Sequence, residues 1–370
     1  MRYLLLTDIP APWREKVYEK VYEKLGNDFH VAYCNYNEKR RLWEFPPGKY
    51  PKTFLKGITI STERTKENYI NVGVIPFLLR HRPKVLICFS LNPTIFLAFM
   101  TAIGLRRKIG VFADTWLGRD RNISLLQSLA RRVAYGFVPC AYVGASKQTL
   151  KMYRFYNNAV KDEQLFLSSL CADNEYFRKV IDGREVERKY EMMFSGRIVE
   201  SKNPLFFARV ATKVKEIKGS CSVLVMGDGD ERLKREMFKI FEENGVQYNF
   251  SGFIKHDELP LYYSQAKLLL LPTTGDCWGV VINEAFVSGV PVLTTNMTGA
   301  AGELVLDGNN GFILPMDADL WAARIVRLLT NKQELREFAE CAKRAVSNFR
   351  FEKAAEGITE AFCYLDEKCM

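Results

Sequence analysis

Ten short apolar runs recur along this chain with almost no alternation: RYLLLT (2–7), HVAYC (30–34), KVLICFS (84–90), IGVFAD (109–114) and AYVGAS (141–146), then YEMMFSG (190–196), CSVLVMG (221–227), QYNFSG (247–252), AKLLLLP (266–272) and VPVLTT (290–295). A strand that is apolar on both sides must be covered on both faces, which antiparallel surface sheets do not provide. Helix-like segments of about 10–15 residues lie between the runs, so the pattern predicts βαβ units and parallel sheets. At 370 residues the chain is too long for one core. It suits two domains of roughly 150–200 residues each.

Charge is unevenly distributed. Residues 1–170 hold 27 Lys and Arg against 13 Asp and Glu, and the remainder 26 against 30. All the excess positive charge therefore lies in the first half, where its field attracts phosphates, anionic headgroups or nucleic acid. No recognisable nucleic-acid motif accompanies it, and basic groups interleaved with aromatics on one face are not evident, so a nucleic-acid partner is not expected. The nine cysteines, at 34, 88, 140, 171, 221, 277, 341, 363 and 369, form no CxxC pair. Neither a disulfide framework nor a zinc site is expected, and a reducing, cytoplasmic setting follows. The first residues, MRYLLLTDIP, lack a signal-peptide core and predict a first strand.

Residues 85–105 are apolar for long enough to raise a membrane span. Asn92-Pro93 interrupts them, which predicts a strand, a turn and a helix opened by Pro93. That segment, VGVIPFLLRHRPK (72–84) and ISLLQSLARRVAYGF (123–137) all join apolar residues to basic ones. They read either as amphipathic helices packing on a sheet or as contacts with an anionic membrane. Near the start, WREKVYEKVYEKL (13–25) predicts a helix with Val17, Tyr18, Val21, Tyr22 and Leu25 on one face and i,i+4 Glu–Lys pairs on the other. The charged stretch at 173–190 marks a linker, and FEKAAEGITEAFCYL (351–365) predicts a last helix with Ala354, Ile358, Phe362 and Leu365 inward.

Four pieces of the second half close strands or open helices, where ligands of parallel α/β sheets bind. In SGRIVESKNP (195–204), Arg197 and Lys202 follow a strand end. They suit a diphosphate, or are simply solvated. In VLVMGDGDE (223–231), Gly227, Asp228 and Gly229 permit a tight turn and close approach of a ligand. The alternative is a plain βα turn with Asp228 or Asp230 capping the next helix. Gly252, Phe253 and Ile254 follow another strand, as a seat for a flat base or as an ordinary loop. The fourth piece, GDCWGVVINEAFVSG (275–289), puts Gly279 at the mouth of a helix whose first N–H groups form an anion site. Glu284 shares a face with Val280, and a carboxylate there suits a vicinal diol rather than a phosphate. Asp276 can do the same for sugar hydroxyls.

These residues resemble a known family. DCWGVVINEAFVSGVPVLTT with TGAAGELVLDGNNGFIL is similar to the donor-site signature of the family 4, GT-B type retaining glycosyltransferases. SGRIVESKN, VLVMGDGDE and FSGFIKHDELPLYYSQA resemble further segments of that family's donor domain. KVLICFSLNPTIFLAF, AYVGAS and FLSSLCADNEYF resemble its acceptor domain more loosely. The resemblance implies two Rossmann-like domains facing across a cleft: an acceptor domain over 1–172, a linker over 173–190, a donor domain over 191–348, and a terminal segment 349–370 crossing back. It implies that Arg197 and Lys202 bind the donor diphosphate and Glu284 its ribose. Gly196, Gly227, Asp228 and Gly229 line the donor, and Asp276, Cys277, Trp278 and Gly279 hold the sugar, with the Val280 N–H near phosphate. Gly252, Phe253 and Ile254 frame the base. No metal and no cofactor is implied, since two cations and a helix end stabilise the leaving diphosphate.

Three departures stand out. The first acid of the family's usual Glu pair is Asp276 here. The family's His-Asp pair is absent: the histidines are His30, His81 and His256, and FADTW (112–116) offers Asp114 in its place. The glycine-rich loop after the first strand is replaced by DIPAPWR (8–14). The expected activity is transfer of a sugar from a nucleotide-sugar to an acceptor on the basic half. With an anionic membrane nearby, a lipid-linked saccharide in bacterial surface polysaccharide assembly is expected, at the inner face of the cell membrane. A nucleotide-sugar epimerase of the same architecture and an inactive scaffold are the alternatives.

Overall fold

The computed structural model describes residues 1–38, 48–60, 68–119, 123–136 and 139–367. Cys369 and residue 137 of the third basic segment lie outside them. The chain divides into two compact units, Met1–Leu170 with Phe351–Met370, and Cys171–Arg350.

The first unit is built on β1 (Tyr3–Thr7), β2 (Phe29–Tyr33), β3 (Lys52–Phe54), β4 (Ile58–Ile60), β5 (Asn68–Ile70), β6 (Val85–Phe89), β7 (Lys108–Ala113), β8 (Ala141–Gly144) and β9 (Leu165–Leu167). Seven of these form one parallel sheet in the order β3-β2-β1-β6-β7-β8-β9, and β4 and β5 make a small antiparallel pair. Every residue of β1 is buried, as the apolar run requires. Asn92 caps the helix Pro93–Gly104 by accepting a hydrogen bond from the Ile95 N–H at 3.1 Å, which ends the long apolar run as expected. Among the described residues no helix is long and apolar enough to cross a membrane.

The helix Pro12–Leu25 departs from its expected polar face. Glu15 is buried and accepts hydrogen bonds from the hydroxyls of Tyr33 at 2.5 Å and Tyr50 at 2.6 Å. Its exposed pairs, Lys16–Glu19 and Lys20–Glu23, are spaced i,i+3 rather than i,i+4. The terminal helix Phe351–Glu367 buries Ala354, Ile358, Phe362 and Leu365 in this first unit, where the Phe362 ring meets Tyr3 and Phe29.

The second unit adds β10 (Tyr190–Ser195), β11 (Ser222–Met226), β12 (Gln247–Gly252), β13 (Ala266–Leu271), β14 (Val292–Thr294) and β15 (Gly311–Ile313). They form a six-stranded parallel sheet in the order β12-β11-β10-β13-β14-β15. The strand order reverses between β10 and β13, so a crevice opens at their carboxyl ends. Phe194, Phe207, Leu233, Leu270 and Trp321 belong to the core that covers one face. The first half of the stretch 173–190, expected as a linker, is helical. It carries the helix Asn174–Ile181, capped by Asp173, and buried Asn174 donates to the Val346 and Phe349 carbonyls at 3.1 and 3.0 Å. The charged residues of this helix lie on its solvent side, and residues 182–189 form neither helix nor strand.

Candidate active site on the second unit

Three adjacent strands end in glycines that are tied to one another. The Gly196 N–H donates to the Met226 carbonyl at 3.1 Å, and the Gly227 N–H to the Gly252 carbonyl at 2.7 Å. Gly196 has φ +138° with no atom within 4 Å of the place a Cβ would occupy. Backbone there is open to an incoming group. Gly227 is different: a Cβ would lie 1.9 Å from the Gly196 carbonyl oxygen, and one on Gly229 would lie 2.2 Å from that of Ile198. These two glycines are required by the neighbouring chain itself. The capping alternative also holds in part, because Asp230 accepts from the Arg232 and Leu233 N–H groups at 2.8 and 3.2 Å. Asp228 pairs with Lys234 at 2.5 Å and accepts from Gly229 N–H, which lowers its pKa.

After β10 the chain passes exposed Arg197 and makes a single 3-10 turn, Glu200–Lys202, before the helix Pro204–Lys218. The following loop is fastened to the turn: Thr273 Oγ1 and the Thr274 N–H both donate to the Ser201 carbonyl, at 2.8 and 2.9 Å. This brings Lys202 against Asp276, and the two form a partly buried ion pair. An ammonium has three donors, so Lys202 can hold Asp276 and still meet a phosphate.

The 276–279 loop is held from below. Asp276 Oδ1 accepts from the Trp278 N–H at 3.3 Å, and its own N–H donates to the Met297 carbonyl at 2.9 Å. Trp278 is fully buried, its indole N–H donating to Asn283 at 2.8 Å and its ring against Phe349. Its side chain is therefore core and cannot hold a sugar, contrary to the expectation for 276–279; only its backbone faces that loop. Cys277 is part-exposed. Gly279 is left-handed at φ +92°, and a Cβ there would lie 3.0–3.2 Å from side-chain atoms of Leu271, Ile282 and Thr298, so a side chain would be both strained and crowded. It precedes the helix Val280–Val287, whose first turn presents the Val280 and Val281 N–H groups.

Glu284, on that helix, accepts a hydrogen bond from the Tyr263 hydroxyl at 2.7 Å, and Tyr263 is in turn 2.7 Å from Ser195 Oγ at the end of β10. Burial pushes the Glu284 carboxyl up to about 7, with the Tyr263 hydrogen bond pulling the other way. Tyr263 is itself fully buried, and its pKa lies well above the ordinary value, from burial first and the Glu284 charge second. Tyr263, on the helix Leu259–Ser264, was not among the residues singled out from sequence; its signal was the Tyr262-Tyr263 pair, of which one ring must turn inward. Phe253 is exposed and Ile254 part-exposed, just past β12. Asp114 follows β7 in the first unit and is part-buried. Among the described residues no group of three His, Cys, Asp or Glu is placed to hold a metal ion.

Two parallel-sheet units of this order define the GT-B glycosyltransferase fold. The structure of Anabaena HepE in complex with UDP superposes over the full length of both chains with a TM-score of 0.74 at 14% identity. Residues 178–345, all within the second unit, match the family model "Glycosyl transferases group 1". Among curated relatives, a 2-deoxystreptamine N-acetyl-D-glucosaminyltransferase of Niallia circulans is 28% identical over 185 residues, covering 48% of this chain and 47% of the relative. The chain thus spans about half the length of that relative. A Campylobacter jejuni N-acetyl-D-galactosaminyltransferase acting on a PP-undecaprenol-linked saccharide is 22% identical over 271 residues, 71% of this chain and 72% of the other.

Proposed function

We propose that this chain transfers a sugar from a nucleotide-diphosphate sugar to an acceptor with retention at the anomeric carbon. The observation that supports the reading is at the carboxyl edge between β10 and β13: Gly196 and Arg197 follow β10, Lys202 pairs with Asp276 of the loop after β13, and Glu284 is joined through Tyr263 to Ser195 at the end of β10. Arg197 and Lys202 neutralise the diphosphate, and the Val280 N–H adds a dipole at the same oxygens. Glu284, aimed by Tyr263, accepts from the ribose diol. Asp276 orients the sugar beside Lys202, and Phe253 and Ile254 flank the base. The bond from the anomeric carbon to the phosphate oxygen breaks on the face where the acceptor oxygen bonds, and the acceptor proton passes to the leaving phosphate. No metal and no cofactor enters this scheme.

The solved HepE complexes contain UDP and UDP-glucose, which supports beginning the donor search with uridine compounds. The Campylobacter relative's undecaprenol-linked substrate supports a lipid-linked saccharide as acceptor, in surface polysaccharide assembly. The first unit adds support for a peripheral place on the inner membrane face. Leu125, Leu129 and Val133 are 91%, 60% and 41% exposed along one stripe of the helix Leu125–Gly136, which also carries Arg131 and Arg132. Met100 and Ile103 stand out similarly near Arg106 and Arg107. An apolar stripe beside cations is the pattern of an interfacial helix on anionic lipid.

The test is release of UDP, GDP or ADP from a panel of nucleotide-sugars, with lipid extract as acceptor source. Arg197→Ala and Glu284→Ala should each abolish turnover while the far-ultraviolet circular dichroism stays native. Full activity in either variant, or a strict need for a divalent ion, would defeat the reading.

A further inference from the structure

At the other end of the second sheet, the amino ends of the strands, lies a cavity of about 310 Å³. Arg178, Arg184, Arg188 and Lys343 line it with a single carboxylate, Asp182. The helices Asn174–Ile181, Leu259–Ser264 and Val280–Val287 all finish there, through Ile181, Ser264 and Val287. Helix carboxyl ends carry partial negative charge, and this accounts for some of the cations. Arg188 shows how: its Nη1 donates to the Ala266 carbonyl and its Nη2 to that of Ser288, both at 3.0 Å. Those bonds use two of five N–H donors and supply no full counter-charge. Burial lowers the Arg188 pKa, as for a cation without a carboxylate beside it.

Gly289 reveals a second feature. The Lys343 ammonium and the Arg188 guanidinium lie 3.5 and 3.3 Å from the point where a Cβ on this glycine would sit. Two like charges so placed repel, and Lys343's ion pair is with Glu340 on its exposed side, at 3.0 Å. Helix ends alone do not call for four cations. A tetrahedral dianion does: the guanidinium fork and the ammonium point charge are complementary ways of binding phosphate oxygens. The cavity lies at the small end of ligand pockets, which suits a phosphate or a phosphomonoester rather than a whole nucleotide-sugar.

We infer that this pocket binds a phosphate dianion, remote from the donor crevice at the opposite end of the same sheet. The phosphate is either free or the headgroup of a lipid. Calorimetry of the full chain with inorganic phosphate tests the site, using the wild type, the double variant Arg178→Gln with Lys343→Gln, and Arg197→Ala. Both pocket substitutions are at exposed positions and leave the carbonyl bonds of Arg188 in place. Saturable one-site binding is expected in the wild type and in Arg197→Ala, weakened at least about tenfold in the double variant. Flotation with phosphatidic acid and phosphatidylglycerol vesicles, in a Leu125→Glu with Leu129→Glu background that removes the apolar stripe of the first unit, identifies the source: flotation on phosphatidic acid alone that needs Arg178 and Lys343, without binding of free phosphate, assigns the headgroup. Undiminished binding of both probes in the double variant overturns the inference, as does binding to neither probe. Phosphate binding lost only in Arg197→Ala also overturns it, by moving the ligand to the donor crevice.

Discussion

Removing one hydroxyl, in Tyr263→Phe, isolates what holds Glu284. The phenyl ring stays in its buried seat, and only the oxygen lying 2.7 Å from both Glu284 Oε2 and Ser195 Oγ is lost. A hydrogen bond to a charged group contributes about 1.5–3 kcal/mol. Its removal raises the Glu284 pKa by roughly 1–2 units, since one unit is about 1.4 kcal/mol. Glu284 already stands at about 7, so at neutral pH the ionised fraction falls from near half to a few per cent. A diol needs the carboxylate as acceptor, so donor affinity drops about tenfold at pH 7. At pH 9 the acid ionises in both proteins and most of the loss disappears. The assay is titration of UDP and the reactive UDP-sugar between pH 6 and pH 9. Wild-type affinity should rise through about pH 7, and the variant's through a higher pH. A variant with wild-type affinity at pH 7, or with a loss constant from pH 6 to pH 9, would refute the positioning role.

Glu284→Gln tests the same burial through stability. The acid's folded pKa is raised, so between about 4.5 and 7 the folded form binds more protons than the unfolded, and stability falls as pH rises through that window. The variant should match the wild type at pH 4 and exceed it by roughly 1–3 kcal/mol at pH 8 in urea unfolding; equal stability at both would contradict the shift. Gly227→Ala forces a Cβ to within 1.9 Å of the Gly196 carbonyl at φ +116°, and should cost more than about 2 kcal/mol and lower the melting temperature. Gly196→Ala, strained in φ but with open space, should cost less stability and lose donor affinity instead. Leu125→Glu with Leu129→Glu should abolish flotation on vesicles of phosphatidylglycerol, an anionic phosphodiester, while leaving turnover with a soluble acceptor unchanged.

All ten apolar runs became parallel strands, and nine of them are largely buried, because double burial needs continuous apolar sequence. The tenth, Gln247–Gly252, is an edge strand with Tyr248 and Phe250 exposed. The strands with no such signature are short. Lys52–Phe54, Ile58–Ile60 and Asn68–Ile70 are three residues each and largely exposed, so no burial pattern marks them. The last strand, Gly311–Ile313, is hidden in a glycine-rich loop motif and pairs with Val292–Thr294 at the sheet edge. The first half of the charged 173–190 stretch escaped notice as a helix for a related reason: polarity marks the solvent side of a helix as readily as a linker.

Within the crevice, residue type indicated where backbone must be bare but not what crowds it. Gly196 and Gly227 look alike in sequence, yet one faces open space and the other its neighbour's carbonyl oxygen. Trp278 and Asp276 stand two apart in one loop, and the indole turns into the core while the carboxylate turns to Lys202. Such choices depend on pairing between distant segments, here Ser201 with Thr273 and Thr274, which no local pattern encodes. The same holds for Tyr263, whose partners Ser195 and Glu284 are 68 and 21 residues away. A motif can name the acid that meets the ligand, but the group that sets its charge comes from another strand end, and only packing selects it.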